Sequence, residues 1–158
     1  MGNPQQGISA VSGSDVLILN NGVGVITGHA DGEAYKLEPQ EPISEMKVSK
    51  DGNSIYAPKY TGIKAKLTIR LVRACADDQN MNTLLQAWIA SPSTFNMFSG
   101  TYLKSTGDTK GNVTNEVYSL SGGVFEMIPS GVSNMDGSVE ASVTIYTLLV
   151  RVDARLMT

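Results

Sequence analysis

The stretch Gly62–Ser91, GIKAKLTIRLVRACADDQNMNTLLQAWIAS, changes its hydrophobic period half-way along, and that change constrains the fold more than any other feature. Ile63, Ala65, Leu67, Ile69 and Leu71 alternate with Lys64, Lys66, Thr68 and Arg70, the period of a strand with one buried face. After Arg73 the apolar positions Met81, Leu84, Leu85, Trp88 and Ile89 follow helical spacing. Asp77 or Asp78 supplies a helix cap, and Ser91 before Pro92 supplies the stop. An amphipathic strand thus leads into an amphipathic helix, and both need an apolar surface to cover.

The remaining chain reads almost entirely as strands. DVLILNNGVGVIT (Asp15–Thr27) places two apolar runs around Asn20-Asn21-Gly22, whose residues tolerate positive φ, and so predicts a hairpin. Its glycines are not a dinucleotide fingerprint, because no glycine stands three residues after Gly24 and no helix follows. Asp31-Gly32 forms a turn before a short strand over Glu33–Glu38, with Tyr35 and Leu37 on one face. Residues 38–61, broken by Pro39, Pro42 and Pro58, read as a long solvated loop in which Ile43–Val48 resumes as a strand. Thr94–Lys104 is an aromatic-rich strand bent at Gly100, and Glu116–Ile128 is a long strand with a bulge at Gly122-Gly123. Ser138–Val152 is the longest alternating run, with Val139, Ala141, Val143 and Ile145 on one face and Ser138, Glu140, Ser142 and Thr144 on the other. Residues 1–13 lack periodicity and read as a flexible arm. The expected fold is a single domain over 1–158, mainly β: an antiparallel β-sandwich or barrel with one flanking α-helix.

Composition narrows the function. A chain of 158 residues supports one core. A formal net charge of −3 implies no broad basic surface for nucleic acid. Cys75 is the sole cysteine and His29 the sole histidine, which removes an internal disulfide and the usual thiolate zinc sets, so no metal or cofactor is expected. Met1–Ser14 carries no apolar core of a signal peptide, and no run approaches the roughly 20 apolar residues of a membrane span, so synthesis in a cytoplasm without a membrane anchor is expected. The carboxylates Glu38, Glu41, Glu45 and Asp51 lack the spacing of a calcium loop. Asp77-Asp78 suits the positive end of a helix better than a catalytic pair, and the chain is not expected to be an enzyme. The basic cluster Lys64, Lys66, Arg70 and Arg73 has no interleaved aromatics for stacking bases. It suits a solvated strand face, protection of an edge, or contact with an acidic neighbour.

Long strands with serine- and threonine-rich faces, and no catalytic grouping, suit a sheet completed by other subunits. In SGSDVLILN (Ser12–Asn20), DGNSIY (Asp51–Tyr56), TGIKAKLTIRLVRACADDQNMNTLL (Thr61–Leu85), GNVTNEVYSLSGGVF (Gly111–Phe125) and VTIYTL (Val143–Leu148) the chain resembles the small tail tube proteins of contractile-tailed bacteriophages. The resemblance covers most of the chain and rests on framework patterns. It implies a tail-tube-like fold assembled as homohexameric rings that stack into a hollow tube within a sheath, located in the virion tail. The implied partners are the chain itself, the tail sheath protein, the tape-measure protein, baseplate and terminator proteins, and DNA that passes the lumen at ejection without specific binding.

On that basis the expected lumen-facing residues are Ser119, Ser121, Ser138, Glu140, Ser142 and Thr144. The expected inter-subunit residues are Lys64, Lys66 and Arg70, with Lys47, Lys50, Asp51, Asn53 and Tyr56 of the long loop, and Arg151 and Arg155 near the end. Related alternatives are a tail terminator or baseplate ring protein and a secretion-system tube protein. From a different class comes a small-ligand-binding β-barrel, motivated by the aromatic strand Thr94–Lys104.

Overall fold

The computed structural model describes residues 8–10, 15–30, 34–59, 63–108, 110–131 and 139–157, with backbone only at 8–10, 108 and 139–140. Ten strands occupy β1 Ile8–Ala10, β2 Val16–Leu19, β3 Gly24–Val25, β4 Tyr35–Pro39, β5 Ser44–Val48, β6 Ser54–Pro58, β7 Lys64–Val72, β8 Phe98–Asp108, β9 Val113–Met127 and β10 Val143–Met157. Helix α1 spans Ala76–Ala90 between β7 and β8, and a short helical turn, Val139–Ser142, precedes β10. The Asp31-Gly32 turn and most of the N-terminal arm lie outside the described residues.

All strand pairs among the described residues are antiparallel, and seven strands of the eight-stranded sheet follow the order β3-β2-β8-β9-β10-β7-β4. β1 also pairs with β8, so part of the arm is a strand: Ile8 lies opposite Asp108, beyond the end of the β2 pairing. The β2–β3 turn has Asn21 and Gly22 at positive φ, 62° and 81°, as its sequence requires. At Gly100 a Cβ would overlap the Ile18 carbonyl of β2, so the bend there permits close approach of two backbones.

The alternation of β7 translates directly into burial. Ala65, Leu67, Ile69 and Leu71 point inward, and their β10 partners Val150, Leu148, Tyr146 and Thr144 lie on the same face. Leu17, Leu19, Phe98, Tyr102, Leu120 and Phe125 extend this core across the sheet, and Met81 and Leu85 of α1 cover it. Aromatic edges lock the helix end to the sheet, Trp88 against Phe95 and Phe95 against Phe98, with ring centroids 5.4 and 5.6 Å apart.

The mainly β architecture with one helix is therefore present, but the ladder does not close into a barrel. β4 and the very short β3 end the sheet, and the curled sheet joins its two ends through a side chain: the Tyr35 hydroxyl donates to the Ile26 carbonyl at 3.3 Å. Four further expectations are corrected. Residues 38–61 hold a regular hairpin, because the runs flanking the Asp51-Gly52 turn pair from Ser44↔Pro58 to Val48↔Ser54. Pro39 sits inside β4 as its last residue, tolerated because β4 is an edge strand. The phase of the last strand is opposite to that read from Val139. The helical turn interrupts the run, and Tyr146, Leu148 and Val150 set the inward face, leaving Thr144 buried and Ile145 exposed. Ile89 of the helical stripe is also exposed, whereas Trp88 beside it packs against the core.

Candidate assembly surfaces

Register places several expected site residues on one surface. Ser121 pairs with Arg151, and Arg151 with Lys64; Leu149 pairs with Lys66, and Lys66 with Glu38. Thr147, Thr68 and Lys36 form the next row, followed by Ile145 with Arg70. Ser119 pairs with Thr101 on the neighbouring strand. The serines expected in a lumen and the cations expected at a subunit contact thus share the outer face of one sheet. The chain supplies its own counter-charges there: Lys66 meets Glu126 at 3.2 Å, Lys36 meets Glu38 at 2.6 Å and Arg151 meets Asp153 at 3.7 Å. The Lys36 ammonium, through its hydrogen bond, holds the Glu38 carboxyl below the usual range.

Other expected residues divide. Thr144 is inside the subunit, its hydroxyl donating to Asp78 at 3.0 Å, which removes it from any lumen. Ser142 is exposed before β10, whereas the side chains of Ser138 and Glu140 lie outside the described residues. Arg155 turns away from the outer face, because register shifts in β10 pair it with Tyr118. Its guanidinium reaches Glu116 at 2.6 Å, donates to the Tyr118 hydroxyl at 3.0 Å and stacks over that ring.

Lys47, Lys50, Asp51, Asn53 and Tyr56 all lie on the β5–β6 hairpin, every strand residue of which is exposed. Asp51 shapes the tip by accepting hydrogen bonds from the Ser49 hydroxyl and the Asn53 side-chain amide; the Ser49 contact first, then the backbone, hold its pKa low. The pairing puts Met46, Val48 and Tyr56 on one face, 55 %, 60 % and 70 % exposed, while Ile55, 66 % exposed, lies opposite Lys47 on the other. The sequence held this signal in two short alternating runs around Asp51-Gly52, hidden by the prolines at either end.

Cys75, Asp77, Asp78 and His29 make contacts within the fold. The cap of α1 is Cys75, whose thiol accepts from the Asp78 amide at 3.3 Å, and neither aspartate fills that position. Buried Asp77 instead accepts from the amides of Thr27 and Gly28, at 2.9 and 2.8 Å, tying α1 to the segment after β3. Asp78 accepts from the Ala74 amide at 2.7 Å and from the Tyr146 hydroxyl at 2.6 Å, in addition to Thr144. Burial, then this bond to Asp78, drives the Tyr146 pKa upward. Arg73 holds the turn before β10 by donating to the carbonyls of Ala141 and Val143, at 2.8 and 2.9 Å. His29 packs edge-on against Tyr35. Among the described residues no group of three or more His, Cys, Asp and Glu could hold a metal ion, and no helix is long and apolar enough to cross a membrane.

At the opposite end of the sheet from Tyr146 the inner face is not covered by α1. A groove of about 510 Å³ opens there, lined by Leu37, Ile43, Ile63, Ala65, Tyr118 and Val152 together with the charged residues Glu41, Lys64 and Arg155. In the aromatic strand that suggested a ligand barrel, Phe98 and Tyr102 are part of the core.

No family model matches the chain, and no curated protein matches it in sequence. Solved structures match in fold. One is a chain of the sheath–tube complex of an extracellular contractile injection system, PVC, in its extended state, with a TM-score of 0.53 and 10 % identity. The correspondence covers 95 % of this chain and 91 % of the other. The protein therefore shares the fold of a component of a contractile sheath–tube complex over nearly its whole length.

Proposed function

We propose that the protein is a structural subunit of the tube of a contractile tail or injection system. The observation that carries this reading is the end-to-end fold correspondence with a chain of a sheath–tube complex, in two chains of similar length. The motif resemblance to tail tube proteins agrees with it, and so does the exposed apolar hairpin, a costly feature for a free monomer.

In this reading the chains assemble as hexameric rings that stack within a sheath, end at baseplate and terminator proteins, and enclose a tape-measure protein and later the DNA. The outer sheet face with Ser119, Ser121, Thr147 and its internally paired cations faces the lumen. Paired charges leave few free cations to hold phosphate, so DNA slides past without sticking. A role for Lys64, Lys66 and Arg70 against an acidic neighbour competes with Glu126 and Glu38 of the same chain. The hairpin residues Lys47, Lys50, Asp51, Asn53 and Tyr56 make contacts between subunits.

Electron microscopy of the concentrated protein tests the proposal. Stacked rings or tubes are expected; a single ring that never stacks favours a terminator or baseplate ring; particles that stay monomeric at every concentration overturn it.

A further inference from the structure

The sequence contains one Asn-Gly pair, Asn21-Gly22, and it lies in the turn between β2 and β3. We propose that Asn21 is a site of spontaneous deamidation held in check by the side chain and carbonyl of Asn96, and that the reaction, once it occurs, permanently opens the lock that Asn96 makes.

Reactivity follows from the dipeptide. Glycine has no Cβ, so the backbone nitrogen after the asparagine can close a ring onto the asparagine side chain with little steric hindrance. Gly22 is exposed, and the place a Cβ would occupy has nothing within 4 Å, so water and base reach the turn. Hydroxide takes the proton of the Gly22 amide, the nitrogen bonds to Asn21 Cγ, the Cγ–Nδ2 bond breaks and ammonia leaves. Water then opens the cyclic imide at either of its carbonyls, giving an aspartyl or an isoaspartyl residue. The sum consumes one water and releases one ammonia, with no oxidant or reductant.

The fold opposes the first step. Asn21 Nδ2 donates to the Asn96 carbonyl at 2.6 Å, and Asn96 Nδ2 donates to Asn21 Oδ1 at 2.6 Å, so one residue engages both polar atoms of the reacting amide. Ring closure requires Cγ to swing onto the following backbone nitrogen, which breaks both bonds. Asn20 ties the same two segments independently, through its backbone to Ser99 at 3.0 Å and through its side chain to Met97 and Ser99 at 3.1 and 2.9 Å. The turn therefore stays in place when Asn96 lets go. Asp51-Gly52 is a second dipeptide of this kind, but there the Ser49 contact first, then the backbone, hold the Asp51 carboxyl in its ionised form, a poor target for an amide nitrogen.

The product cannot remake the lock. A carboxylate has no donor for the Asn96 carbonyl and sets an anionic oxygen against it where the amide nitrogen stood. The isoaspartyl form also lengthens the backbone of a turn in which Asn21 and Gly22, at φ 62° and 81°, bring β2 back onto β3. Asn96 follows Phe95, whose ring packs on Trp88 and Phe98, so the released segment is the link between α1 and β8.

The test incubates the full-length parent and the Asn96→Ala variant in mildly alkaline buffer made with heavy-oxygen water, both folded and in concentrated urea, and follows residue 21 by peptide mass spectrometry with separation of isoaspartyl from aspartyl products. In urea the two chains are expected to deamidate at Asn21 at the same rate. Folded, Asn96→Ala is expected to react at least about tenfold faster than the parent, with heavy oxygen in an isoaspartyl-containing product. Asn20→Ala, which loosens the same turn but keeps the Asn96 pair, is expected to accelerate the reaction far less. Equal folded rates for the parent and Asn96→Ala overturn the proposal, and so does equal acceleration by the two variants, which would make looseness of the turn the cause. A folded parent that reacts as fast as the chain in urea overturns the lock, and a product without isoaspartate overturns the imide route. As a second measure, Asn21→Asp, the aspartyl product itself, is expected to melt about 2–4 °C below the parent. An unchanged melting temperature overturns the claim that the product opens the lock.

Discussion

β7 and β6 both carry strand-forming residues, yet Leu67, Ile69 and Leu71 of β7 are fully buried, whereas Ile55 and Tyr56 of β6 are 66 % and 70 % exposed. The difference lies in what each strand can reach. β7 sits between β10 and β4 beneath α1, so its alternate residues meet an apolar layer within the chain. Among the described residues β6 pairs with β5, and every residue of both strands is exposed. One region has its apolar side chains covered by folding; the other leaves them exposed.

This contrast can be broken most severely in the body. Gly100→Ala is expected to abolish the folded state or cost about 4 kcal/mol or more, because the added methyl overlaps the Ile18 carbonyl of the adjacent strand; a near-normal denaturant midpoint would show that β2 and β8 separate freely. Leu67→Ala should cost about 2–5 kcal/mol in urea unfolding, since its side chain is fully buried in the central layer.

Alkaline pH probes the same core. Burial, the largest cause, pushes Tyr35 and Tyr102 up to about 12 from an ordinary value of 10.0, so the native state favours their neutral forms. Their stabilising contribution is complete below pH 10 and is lost as pH rises toward 12. The loss is roughly 2–3 kcal/mol for each fully shifted group. Because Tyr146 is raised as well, Tyr102→Phe should remove about a third of the alkaline sensitivity seen in melts across that window.

Asp78→Ala strips the acceptor from Tyr146, Thr144 and Ala74 at the edge of the core, and a loss of about 1–3 kcal/mol by thermal melting is expected. On the outer face, Lys66→Glu with Arg70→Glu breaks the half-buried pair with Glu126 and should cost about 1 kcal/mol or less. Assembly of that variant should track its small loss of stability. Failed assembly of a well-folded variant would return the row to a subunit contact. The smallest effect on the monomer belongs to the hairpin: Met46→Ser/Tyr56→Ser should lie within about 0.5 kcal/mol of the parent.

Local signals carried much of the fold. The alternation of Ile63–Leu71, the helical stripe of Met81–Trp88, the Asn20–Gly22 turn and the Gly100 bend each recur in the structure, because each is determined by residues a few positions apart. The helix cap was misplaced by two or three residues, since a thiol at Cys75 accepts the amide usually given to an aspartate. Sites were harder to read. Ser121, Arg151 and Lys64 look unrelated in sequence, and only the β9-β10-β7 register brings them into one row.

The sequence by itself thus determined the strand-rich class and the place of the long helix, both of which follow from periodicity and residue type. Tertiary structure decided which face of each strand was inside. Thr144 is buried and Ile145 exposed because β10 must present Tyr146, Leu148 and Val150 to the same layer as Leu67 and Ile69. It also decided that α1 covers only one end of that layer. The hairpin and the groove are visible as unfinished surfaces only once the rest of the chain has been packed, since an apolar residue becomes informative when nothing in its own fold covers it.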